Sequence, residues 1–158
     1  MNRHGKRLFL LLTLAACAPT VHAAPATAFC KVLRALVASV QSGETGGFTF
    51  RTSWGSNFND APEPAMAAKR CEHEGDEPGR NVCAYLMAHG SIEFAESDAK
   101  NAVSCLSRGT KWGHGLSLEH IGVEFTHGSD RRGAVVGITF EEDTAIGGMA
   151  FKLVAEGY

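Results

Sequence analysis

Apolar residues recur at helical spacing in two stretches of this chain and alternate with polar ones in several others. Phe29, Leu33, Leu36 and Val40 fall at i, i+4, i+7 and i+11, one face of a helix that Ser42-Gly43 closes. Ile92, Ala95, Ala99, Ala102 and Leu106 repeat in the same way. They predict a second helix, capped by Ser91 and ended by Gly109. Alanine at three of those positions implies a closely packed neighbour. Period-two alternation marks the strands. Phe48–Thr52 is a short one, Glu44–Gly47 reads as loop, and 54–64 is a polar loop rich in Gly, Asn, Asp and Pro. Ile121/Val123/Phe125, Val136/Ile138/Phe140 and Met149/Phe151/Leu153 each present one apolar face. With turns at 127–133 and 143–148 they predict a three-stranded antiparallel meander. Between the helical stretches, 65–74 and 80–89 flank Gly75-Asp76-Glu77-Pro78-Gly79, which reads as a hairpin centred on Glu77. The expected fold is α+β: two helices packed on an antiparallel sheet made of the hairpin and the C-terminal meander.

The first 23 residues follow a different pattern. Arg3, Lys6 and Arg7 precede the apolar run Leu8–Ala16, which is too short to span a bilayer. Val21-x-Ala23 then sets small residues at −3 and −1 of a cleavage point. This is the anatomy of a secretory signal peptide over 1–23, leaving 24–158 as one domain. A competing reading takes Leu14-Ala15-Ala16-Cys17 as a bacterial lipobox, with Cys17 lipidated as the first mature residue. The destination is periplasmic or secreted in the first case and a membrane-anchored lipoprotein in the second. No later stretch is long and apolar enough to span.

Cys30, Cys71, Cys83 and Cys105 remain after either cleavage. An even number in an exported chain predicts two disulfides. Cys71 and Cys83 lie six residues either side of Glu77, opposite each other in the expected hairpin. Cys30 and Cys105 border the apolar faces of the two helices, beside Leu33 and Leu106, and complete the set. No C-x-x-C occurs, so a zinc finger or ribbon is not expected.

The leader carries three of the 15 basic residues and none of the 17 acidic ones, so the remainder has a formal charge of −5. That excludes the basic stripe of a nucleic-acid-binding domain and suits a basic protein partner. Candidate chemistry is sparse. The histidines His73, His89, His114, His120 and His127 show no metal-ligand spacing, and G-x-S-x-G is absent. Glu93 and Glu96 share a helical face, and Glu72, Glu74, Asp76 and Glu77 cluster at the expected hairpin tip; both sets read as solvated surface. Trp54 and Trp112, each in a polar loop, and His114 beside the second, are the candidate binding residues. No cofactor, metal or catalytic residue is expected. The chain reads as an envelope protein that binds another protein, an inhibitor or immunity-like module. The alternatives are a small hydrolase acting on envelope polymers through some of His114, His120, Glu93 and Ser117, and a structural lipoprotein anchored through Cys17. An enzyme would gather titratable groups in one cleft; a binder would expose aromatics.

Overall fold

A computed structural model describes residues 25–55, 58–63 and 65–158. The expected leader, its cleavage point after Ala23 and Cys17 lie outside the described residues. The elements run α1 (Pro25–Ser39), β1 (Thr45–Trp54), β2 (Ala67–Glu72), α2 (Glu77–His89), α3 (Glu96–Leu106), β3 (Ile121–Ser129), β4 (Arg132–Glu142) and β5 (Met149–Gly157). The strands form one antiparallel sheet in the order β2-β1-β5-β4-β3. The α+β class, the meander and the helical cover therefore hold, with a third helix added.

That third helix replaces the second arm of the expected hairpin. Residues 77–89 are α2, because Asp76 is an N-cap rather than a turn residue. Its carboxylate accepts from Gly79 N at 2.7 Å, and Pro78 sits in the first turn, where its missing N–H costs nothing. Val82, Cys83 and Leu86 then face the core on one side of the helix. β2 pairs with β1 instead, with Phe50 opposite Cys71. The Cys71–Cys83 bridge forms as expected but joins a strand to a helix, with Cα atoms 5.4 Å apart.

β1 begins at Thr45, inside the segment expected to be loop. Gly46 and Gly47 hide the alternation there. Gly47 lies against β5 so tightly that a Cβ would sit 2.3 Å from Leu153 O, so the pairing requires glycine. The β3 and β4 strands likewise run through the expected 127–133 turn, and only Asp130 and Arg131 connect them. At the N-terminal side of α3, Ser91 Oγ accepts from Phe94 N at 3.0 Å, yet residues 92–95 form turns and regular helix starts at Glu96.

All three helices cover one face of the sheet. Phe48 and Phe50 of β1, Phe151, Leu153 and Ala155 of β5, and Val136, Ile138 and Phe140 of β4 meet Phe29, Leu33, Leu36, Val82, Leu86, Val103 and Leu106 in a single core. Phe48 and Phe151 pack edge to face at 5.1 Å between ring centres. Ala99 and Ala102 are fully buried and let α3 approach α1, where Cys30–Cys105 joins the helices with Cα atoms 5.3 Å apart. The Arg34 guanidinium donates to Cys105 O at the same junction. Two disulfides fit an oxidising, non-cytoplasmic compartment. Among the described residues no helix is long and apolar enough to cross a membrane.

The two bridges close loops of different length, 75 and 12 residues apart in sequence. Replacing both Cys30 and Cys105 by alanine is expected to cost about 4.5 kcal/mol, and the Cys71/Cys83 double replacement about 3 kcal/mol, in the chain-entropy account. Urea denaturation measures both. Hydrogen exchange adds the location: loss of the long bridge exposes α1 amides first, and loss of the short one exposes β2.

Candidate functional site

Period two sends the apolar row of β1 (Phe48, Phe50, Thr52) on to Trp54, and that of β4 (Val136, Ile138, Phe140) on to Glu142, at the same end of the sheet. Both end beside a cleft of about 290 Å³. Ile92, Ala95, Phe140 and Met149 give it an apolar lining, while Glu93, Glu96 and Glu142 supply carboxylates and Trp54 an indole. No Lys or Arg lines it among the described residues.

Trp54 is 58 % exposed although it is the last residue of a strand. Ala67 is its neighbour across the ladder, and Met66, 79 % exposed, extends the same pairing with its carbonyl accepting from Gly55 N at 2.8 Å. Phe94, 59 % exposed, stands on the turn beside Ile92 and Glu93. Trp54, Met66 and Phe94 are thus large apolar side chains left exposed to solvent.

The 90–95 turn that carries half of the cleft is held from below. Lys69 of β2 donates to the Leu86, Met87 and Gly90 carbonyls, which satisfies the open C-terminal end of α2 with a cation. Gly90 packs against Phe50, where a Cβ would lie 2.9 Å from the ring and 2.6 Å from Leu86 O, so the chain can only turn there as glycine. Asp98, only 8 % exposed on the first turn of α3, accepts from Ser91 N at 2.9 Å. Burial raises the Asp98 carboxyl to about 6, against the opposing pull of the Ser91 N–H and of Lys69, with Glu96 adding to the rise. Glu96 itself lies 3.9 Å from Lys100, whose ammonium donates to Leu116 O.

The other sequence-predicted binding residues are elsewhere. Trp112 is half-buried against the core, and its Nε1 donates to Lys100 O at 2.9 Å and to Ser104 Oγ at 3.0 Å. This ring folds its loop back onto α3. His114 is exposed in that loop and lines neither cleft. The structure thus brings Trp54 together with Glu93 and Glu96 in one cleft, which neither Trp112 nor His114 lines. Glu142 escaped sequence reasoning, although the β4 alternation carries it one step beyond Phe140 on the same face.

A second cleft, of about 340 Å³, opens at the other end of β1 among Thr45, Thr49, Glu72, His73, Glu74, Asp76 and Lys152. It collects three of the four acidic residues of the expected hairpin tip, Glu72, Glu74 and Asp76 but not Glu77, and two of these serve the fold. Glu72 pairs with Arg51 at 2.8 Å, and Asp76 caps α2. His73 Nδ1 is buried there with no hydrogen-bond partner among the described residues. Arg51 also pairs with Asp143 at 2.9 Å, and the Ile146 N–H and that guanidinium hold the Asp143 carboxyl below its usual range. No group of three or more His, Cys, Asp or Glu is placed to hold a metal ion among the described residues. No family model, curated protein or solved structure matches the chain.

Two outcomes test this geometry. A carboxyl raised in the folded state binds its proton more tightly there than in the unfolded chain. Its contribution to stability is therefore greatest below about pH 4 and is lost as pH rises through about 6. Asp98→Asn keeps an acceptor for Ser91 N but removes the charge. Its stability relative to the parent should rise by about 2 kcal/mol from pH 4 to pH 7.5, read from urea midpoints; a flat or inverted difference would show that Lys69 outweighs burial. Trp112→Ala should destabilise by about 2 kcal/mol, through lost packing and two lost hydrogen bonds, whereas Trp54→Ala should leave the thermal midpoint nearly unchanged.

Proposed function

We propose that the protein is an exported, non-enzymatic protein-binding module of the inhibitor or immunity kind, and that it meets its partner through the Trp54 end of the sheet. The exposed indole of Trp54 carries this reading. That ring stands in water at the edge of an acidic cleft, and Phe94, also exposed, lies in sequence between the cleft residues Glu93 and Ala95. Aromatic anchors of this kind supply much of the free energy of protein interfaces. The negative charge of residues 24–158 and the carboxylates at the cleft favour a basic partner, because opposite fields raise the rate of encounter. The leader over 1–23 and the two disulfides agree with a site of action outside the cytoplasm.

A hydrolase has weaker support. Of the residues a sequence reading offers it, Glu93 lines the Trp54 cleft, while His114, His120 and Ser117 line neither cleft.

Immobilised protein carrying both disulfides should retain a specific protein from the envelope of the cell that makes it, identified by mass. Trp54→Ala should weaken that complex by about 2 kcal/mol or more, read as the change in Kd by surface resonance, with the thermal midpoint preserved. An unchanged Kd would remove the Trp54 end from the interface.

A further inference from the structure

We infer that the cleft beside Trp54 accepts a single arginine side chain presented by the partner, an assignment that rests on the protein-binding reading above. Size comes first. At about 290 Å³ the cleft lies at the lower limit of pockets that hold drug-sized molecules and suits one long side chain. Its lining is divided in the way such a side chain is. Ile92, Ala95, Phe140 and Met149 offer apolar surface to a methylene stem, and carboxylates meet the charged head.

Charge decides the sign of the head group. Glu93 and Glu142 form no ion pair among the described residues; Lys100, 3.9 Å from Glu96, is anchored to Leu116 O, and Lys69 to the Met87 and Gly90 carbonyls. A cation entering the cleft therefore competes with no resident arginine or lysine there. The Asp98 and Lys69 contacts anchor the backbone at Ser91 and Gly90, so the turn that carries Glu93 is positioned before the ligand arrives.

The indole favours arginine over lysine. A planar guanidinium stacks on an aromatic face and pairs two-pronged with a carboxylate, whereas an ammonium does only part of each. Trp54 lines the cleft with its indole largely exposed.

The test uses the full chain, produced with both disulfides formed. The two indole N–H groups give separate NMR cross-peaks, assigned through Trp54→Phe. Titration with N-acetyl-arginine-methylamide should move the Trp54 peak with millimolar affinity and leave the Trp112 peak in place. The citrulline analogue, of similar shape but uncharged, should bind at least about tenfold more weakly. Glu93→Gln combined with Glu142→Gln should weaken the arginine probe about fivefold or more, with the Trp112 peak as the check on folding. Equal response to arginine and citrulline, or no response of the Trp54 peak to either, overturns the assignment. Loss of partner retention by Trp54→Ala alongside a failed arginine titration would sink this inference alone. Arginine binding alongside unchanged retention would sink the proposed interface instead.

Discussion

A sheet that is apolar on one face only must bury that face, and the described residues supply helices of 15, 13 and 11 residues with which to do it. Helices this short are marginal by themselves in water, so their stability comes from the surface they cover. The sheet and its cover thus depend on each other, and the remaining features follow from that shortage of helix. The two disulfides lie where a short helix meets its support: Cys30–Cys105 between α1 and α3, and Cys71–Cys83 between α2 and the edge strand. Each restricts the unfolded chain most where local contacts restrain it least.

Short helices also expose their ends, and the end of α2 is where structure and candidate site join. Its last carbonyls need donors, and Lys69 provides them from the neighbouring strand. Asp98 then secures the next turn of chain from the other side. A buried carboxylate with a lysine nearby is an expensive way to hold a turn, since a neutral acceptor would avoid the cost of burying charge. Its effect is to fix the 90–95 segment that lines the Trp54 cleft. Rigidity is bought here at some expense of stability, a trade that binding sites often make.

Much of the fold was legible in the sequence because its signals were periodic and local. The meander, α1 and the apolar face of α3 each showed in the spacing of Phe, Leu, Ile, Val and Ala. What failed was punctuation. Gly75-Asp76-Glu77-Pro78 serves equally as a turn or as the start of a helix, and only Asp76 accepting from Gly79 N separates the two. The 71–83 pairing was right although the hairpin behind it was not, because twelve residues bring a strand and the next helix within bridging distance as well as two strands. The site was half legible. Trp54 and Glu93 stood out as residue types, but the arrival of Met149 and Glu142 beside Trp54 depends on β1 lying beside β5, a long-range pairing that no local pattern encodes.

That pairing also explains why the two tryptophans have different uses despite similar surroundings in sequence. Trp112 follows α3 closely, and a short loop lets its indole swing back to Lys100 O and Ser104 Oγ on the same helix. Trp54 ends a strand that is hydrogen-bonded on both sides, so its backbone direction is set and its side chain must follow the pleat. The pleat sends it to the helical face at a point beyond the helices. To bury that ring would require a longer α2 or a tighter 90–95 turn, and Gly90 with Lys69 fixes the end of α2 where it is. The exposure of Trp54 is therefore a consequence of the packing that stabilises the domain, and the cleft beside it lies where the sheet end meets the 92–95 turn and the start of α3.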